Sequence, residues 1–172
     1  MKRWIGLLVL VGLVAVLGCN DDKKSTTPDG DDNGNYDGTI TATITGDLEL
    51  DFSCSTAYGI AEAGQGGAAG LMQIQGIVMQ GADEYMIDIQ VYRDPATGTY
   101  DLAFPPVDGV GSVAKNDTGN FSESGSVTFT QVGSGKLAGT FEFVAFRVIG
   151  VGEMVTTTVA DGTFDVPVIQ ID

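Results

Sequence analysis

The chain is 172 residues long and carries 23 acidic residues against 8 basic ones, a formal charge of −15 at neutral pH. Such a surface repels polyphosphates, because nucleic acid is bound by Lys and Arg that displace condensed counterions; nucleic acid is excluded as a partner, and the acidity reads as solubility and self-repulsion, with a cation-binding surface as the alternative. The complete absence of histidine removes Ser-His-Asp and Cys-His catalysis together with the commonest ligand of zinc and copper.

At the start of the chain Lys2 and Arg3 precede an apolar run from Trp4 to Leu17, the charged and hydrophobic regions of an export signal. The run is shorter than the roughly 20 residues needed to cross a hydrocarbon core, and polar residues follow it at once, so no membrane-spanning helix is expected. Val16-Leu17-Gly18-Cys19 resembles the lipobox of bacterial lipoproteins, in which small residues precede a cysteine that receives diacylglycerol before the signal is removed. The resemblance implies a signal peptide over residues 1–18, lipid on Cys19, and a lipid-anchored location in the bacterial cell envelope, at the outer membrane if the organism has one. Asp21-Asp22 resembles the surface-export signals of some Bacteroidota lipoproteins and implies display on the outer face. Loss of Lys2 and Arg3 with the signal leaves the mature chain more acidic still.

Residues 20–38, NDDKKSTTPDGDDNGNYDG, have Tyr36 as their only bulky apolar side chain and no helical or strand period. Residues 19–38 are therefore expected to be a lipidated cysteine and a flexible acidic linker, reaching about 60 Å when stretched and roughly 20–25 Å as a coil. Asp29, Asp31 and Asn33 stand at alternate positions, Gly34 is sixth and Asp37 ninth. An EF-hand needs a bidentate Glu at the twelfth position, where Ile40 stands. The spacing instead resembles the shorter D-x-D-x-D-G-x-x-D repeats of extracellular calcium-binding linkers. Calcium on Asp29, Asp31, Asn33 and Asp37 is weighed against a merely solvated linker, and no other cofactor is expected.

From Thr39 onward the period becomes two, the mark of half-buried strands. Ile40, Ala42 and Ile44 alternate with threonines, and Leu48, Leu50, Phe52 and Cys54 with Glu49, Asp51 and Ser53. With Cys19 lipidated, Cys54 has no partner within the chain. It continues an apolar phase, and its acidic neighbours disfavour a thiolate, so it is expected in the core as a small apolar side chain. After the small-residue stretch Gly59 to Gly70, Leu71 to Gln80 reads as a strand bulged at Gly76, and Tyr85 to Val91 as a regular one. Asp94 to Gly98 is a turn. Thr99 to Phe104 is a strand stopped by Pro105-Pro106, and Val107 to Asn120 reads as loop. Val127 and Phe129 pair with Leu137 to Phe146 across Gly133-Ser134-Gly135-Lys136 as a hairpin. Met154 to Val159 and Phe164 to Ile171 are two last strands separated by a turn at Ala160-Asp161-Gly162. Residues 39–172 are thus predicted to form a single all-β domain, an antiparallel β-sandwich or barrel of about eight to ten strands, with Cys54, Phe129, Phe141 and Phe143 inside.

Two matches to G-x-G-x-x-A, starting at Gly64 and Gly109, carry no nucleotide-binding meaning, because neither opens a helix. Thr41-Ala42-Thr43-Ile44-Thr45-Gly46, Gly98-Thr99-Tyr100-Asp101-Leu102, Gly125-Ser126-Val127-Thr128-Phe129-Thr130, Leu137-Ala138-Gly139-Thr140-Phe141-Glu142-Phe143 and Thr158-Val159-Ala160-Asp161-Gly162-Thr163-Phe164 occur in an order that resembles an uncharacterised, Bacteroidota-type family of all-β lipoproteins. In that family a G-T-F-x-F strand precedes a final dG-x-F strand, and the resemblance implies no activity. The expected function is that of a membrane-tethered envelope lipoprotein, no enzyme, whose domain is a binding or structural module presenting a sheet face or loop end to an envelope protein or glycan. One alternative is a barrel-type carrier with Met72, Ile74, Met79, Met86 and Val144 lining an apolar cavity. The other is a carboxylate-based glycoside hydrolase, which needs two facing acids in a cleft, whereas Glu49, Asp51 and Asp88 are placed to alternate outward.

Overall fold

The structure is a computed structural model that describes residues 37–169. The expected lipid site at Cys19 and the calcium residues Asp29, Asp31 and Asn33 lie outside that range, and Asp37 is an exposed residue just ahead of the first strand. The described residues form nine strands and no helix: β1 (Gly38–Gly46), β2 (Leu50–Glu62), β3 (Leu71–Gln80), β4 (Asp83–Val91), β5 (Gly98–Asp101), β6 (Gly109–Lys115), β7 (Thr118–Gly133), β8 (Lys136–Gly150) and β9 (Glu153–Pro167). All neighbours are antiparallel. Pairing of β7 with β8 closes β1, β2, β3, β4, β6, β7, β8 and β9 into an eight-stranded ring, and the short β5 lies against β7 beyond the point where β6 stops. The fold is therefore a barrel, and closure removes the free sheet edges that a sandwich would leave.

The alternation read from the sequence sets which side chains point inward. Ile40, Ala42 and Ile44 of β1 are buried while the threonines between them are exposed. Eight strands leave an interior just wide enough for side chains to fill. Here Phe52, Phe129, Phe141, Phe143 and Phe164 fill it, all at most 3 % exposed, with edge-on contact between Phe129 and Phe164 at 5.2 Å. Cys54 is buried among them, its thiol donating to the carbonyl of Ile77 at 3.2 Å. The hairpin at Gly133 to Lys136 is present, with Ser134 and Gly135 both at positive φ, as a tight hairpin turn requires.

Four local expectations are corrected. The segment read as loop, Val107 to Asn120, holds β6 and the start of β7. Its inward positions are Gly109, Gly111 and Val113, so the apolar alternation is missing from the text; a Cβ on Gly111 would stand 3.1 Å from the ring of Phe143, which fills the space instead. Gly76 is not a bulge. It pairs in register with Ile87, and the absent side chain makes room for Ile40 and Cys54. The turn expected at Ala160 to Gly162 is a bulge within one continuous β9: Asp161 takes φ 52°, the left-handed conformation that Asp tolerates, while the segments on either side stay paired with β1 and β8. Lastly, β2 runs on to Glu62 because Ala57 and Gly59 take inward positions that need no bulk.

Candidate functional site

Since the inner face is filled, what distinguishes one part of the barrel from another is its outer face. Cross-strand register places Tyr58 of β2, Gln75 of β3, Asp88 of β4, Ser112 of β6 and Phe121 of β7 in one row across the outside. The adjacent row is Ile60, Gln73, Gln90 and Val110. Asp88 sits at the centre. Gln73 Nε2 donates to its Oδ1 at 2.5 Å and Gln90 Nε2 to its Oδ2 at 2.8 Å. The Tyr92 hydroxyl donates to Gln90 Oε1 at 3.0 Å, and Tyr58 to Gln75 Oε1, whose amide nitrogen approaches Met86 Sδ at 3.4 Å. Burial in the middle of the wall raises the Asp88 carboxyl above its ordinary range, against the lowering effect of the two glutamine amides. The Tyr92 hydroxyl is also raised, by burial first and then by the charge of Asp88.

At the β7 end the row terminates in an exposed aromatic pair. Phe104, from the segment between β5 and β6, lies 5.6 Å from Phe121 at an interplanar angle of 31°. The two residues are 55 % and 48 % exposed, so both rings offer apolar surface to water.

The basic charges of the described residues are all paired. The basic side chains of the described residues are Arg93, Lys115, Lys136 and Arg147, and each is ion-paired: with Asp108 at 2.5 Å, Asp83 at 2.7 Å, Asp165 at 2.7 Å and Asp47 at 2.8 Å respectively. The Arg93 guanidinium, followed by the Asp101 backbone N–H, holds the Asp108 carboxyl below its usual range. Hydrogen bonds from Lys115 and Asn116 do the same for Asp83. Arg147 also donates through Nε to Asn120 Oδ1 at 3.1 Å, and Asn120 to the Thr157 hydroxyl at 2.7 Å, so this polar group closes one end of the barrel.

The opposite wall, over β1, β9 and β8, is built differently. Threonines face outward along the whole of β1 and recur on β9 and at Thr140 of β8, with the hydroxyls of Thr41 and Thr163 2.8 Å apart. A shallow depression there is bordered by Ser126, Thr128, Thr140, Glu142, Asp161 and Thr163. Glu142 and Asp161 are both exposed, which leaves neither in the water-poor surroundings that turn a carboxyl into a general acid.

The residues expected to line a carrier cavity do not converge. Met72 and Ile74 point inward and are packed in the core, Met86 and Val144 lie on the outside, and Met79 is 49 % exposed. Glu49 and Asp51 are exposed as expected, and Asp88 is outward but half-buried and held. Among the described residues no group of three or more His, Cys, Asp or Glu side chains is placed to hold a metal. Sequence reasoning passed over Gln73, Gln75, Gln90, Tyr92, Phe104 and Phe121. The signal was there in part, since Gln73-x-Gln75 and Asp88-x-Gln90 put polar side chains, the poor strand former Asp88 among them, at the outward phase of two central strands.

No protein-family model, no curated protein and no solved structure matches the chain. An eight-stranded barrel of this kind is compatible with a binding or a carrier module.

Proposed function

We propose that the protein is a lipid-anchored lipoprotein of the bacterial cell envelope whose barrel is a non-catalytic scaffold, presenting the wall around Asp88 to an envelope partner. The observation that carries this reading is the Asp88 network itself. Asp is disfavoured in strands, and burial makes its charge unfavourable here, yet it stands mid-strand with both carboxylate oxygens held by glutamines. Strand formation does not favour such an arrangement, and polar groups held fixed on an outer wall support its use in presentation to a partner. An interior packed with phenylalanines supports a scaffold over a carrier, and the lack of histidine supports binding over chemistry.

The basic start, apolar run and Val16-Leu17-Gly18-Cys19 box support the tether, at the outer membrane where there is one, with residues 20–38 as an acidic spacer that calcium on Asp29, Asp31, Asn33 and Asp37 would stiffen. Two measurements test the proposal. Mass spectrometry of the membrane fraction should find Cys19 as a lipidated N-terminus; an unmodified internal Cys19 in most of the protein ends the tether. A photo-crosslinking residue at Ser112 should capture an envelope component in living cells while one at Thr43 does not; equal capture, or none at Ser112, ends the assignment of the face.

A further inference from the structure

We infer that the ligand of this face is a neutral, hydroxyl-rich saccharide chain, hydrogen-bonded across Asp88 and its glutamines with a sugar ring lying on the Phe104–Phe121 pair. The inference rests on the reading of the Asp88 wall as the recognition surface and adds to it the class of ligand.

Charge gives the first argument. Every basic side chain of the described residues is already bound to a carboxylate, so an anionic ligand, whether phosphate, sulfate or uronate, meets no free cation and one fixed negative charge. A cation meets a single carboxylate, too few oxygens for a calcium or magnesium site.

Hydrogen-bond capacity gives the second. An ionised carboxylate has about four lone-pair sites, and the two glutamines take one on each oxygen. Lone pairs left over can accept from a ligand that donates, as can those of Gln75 Oε1 and Gln90 Oε1, each of which accepts one bond from a tyrosine hydroxyl. A sugar, whose hydroxyls both donate and accept at short spacing, satisfies such a set. Because the side chains already hold one another, little rotamer freedom is lost on binding.

Position gives the third. Adjacent strands lie about 4.8 Å apart, so Phe121, two strands from Asp88 in the same row, is roughly 10 Å away, a span that a disaccharide unit bridges. The exposed rings of Phe104 and Phe121 offer an apolar face, which suits the C–H face of a pyranose. An extended peptide is poorly served here. β4 is paired along both sides, with β3 and β6, so no backbone edge is open to accept an added strand. The network holds one carboxylate only, where glycoside hydrolysis uses two flanking the scissile bond, so the saccharide is held and not cut.

The test is affinity electrophoresis of the full chain, extracted from membranes in detergent, through gels containing neutral polysaccharides (xylan, galactomannan, β-glucan, starch), an acidic one (alginate), and the protease-treated polysaccharide fraction of the producing cells. Retardation is expected from at least one neutral polysaccharide or from the cell fraction, and none from alginate. Asp88→Asn and Phe121→Ala should each weaken it about tenfold or more, and Thr43→Ala should not. Phe104→Ala removes an exposed ring outside the strands, so it keeps the test valid should Asp88→Asn misfold, and it too should weaken retardation. No retardation by any of these polysaccharides overturns the inference, as does equal retardation by alginate, or binding that Phe104→Ala and Phe121→Ala leave unchanged. If the Ser112 crosslinker meanwhile captures a protein, the recognition face stands and only its saccharide ligand falls; if it captures nothing, both fall.

Discussion

The two outer walls of the barrel enclose the same apolar interior, yet only one of them is explained by it. Over β1 and β9 the outward residues include a series of threonines, β-branched side chains that favour strands, exposed and joined by hydroxyl contacts such as Thr41 to Thr163. Any stable barrel could have this wall. Over β3 and β4 the outward residues include, beside Ile77 and Met86, the polar Gln73, Gln75, Asp88 and Gln90, and burial disfavours the charge of Asp88. Strand-forming requirements account for the threonines of the first wall and not for the Asp88 network of the second.

The largest expected effect separates the shared interior from either outer face. Phe129→Ala should lower stability by about 3–5 kcal/mol, because it opens a cavity in the packed interior. Phe121→Ala, the same chemical change on the outer face, should lower it by about 1 kcal/mol or less, the worth of an exposed ring contact. Urea unfolding measures both. Equal losses would mean that Phe121 serves the fold, and the comparison would fail.

A second test uses pH, because the carboxyls of this side of the molecule carry shifts of opposite sign. With its proton affinity raised in the folded state, Asp88 adds stability below the usual carboxylate range and loses that contribution as pH rises through its folded value. Asp88→Asn should therefore gain stability relative to the wild type as pH rises above about 4. The Asp108 carboxyl is lowered, first by Arg93, so its contribution is present above that range and lost as pH falls; Asp108→Asn should be less stable than the wild type by a constant margin above about pH 4 and converge with it only below that. Two variants with the same slope would contradict the assigned surroundings. The smallest effect belongs to the threonine wall, where Thr41→Ala should change stability by about 0.5 kcal/mol or less and leave polysaccharide retardation as it was.

The fold was legible where bulk alternates along a strand. Ile40 to Ile44, Phe52 with Cys54, and Tyr85 to Val91 declare their inward phase, and the hairpin at Gly133 to Lys136 declares its turn. It was illegible where glycine holds an inward position, because at Gly109, Gly111 and Gly162 the apolar mass comes from a phenylalanine or valine on another strand, far away in sequence. Barrel closure belongs to the same class, since pairing of β7 with β8 as well as with β6 is a property of register and not of any one segment. The candidate site was legible only as an oddity of composition. Nothing in Gln73, Asp88, Gln90 and Phe121 taken singly says that three strands bring them to one outer face, and Phe104 joins them from a loop.

On the function proposed above, a partner covers the Asp88 wall where the protein works. Hydroxyl-radical footprinting tests it most directly, by comparing labelling of Phe104, Phe121 and Tyr92 in intact cells with labelling in the purified full chain, and using exposed Met154 at the start of β9 as the internal reference. The account predicts that the three aromatic residues are protected in cells at least several-fold relative to Met154. Equal labelling in the two settings would show that nothing occupies the face and would contradict the account.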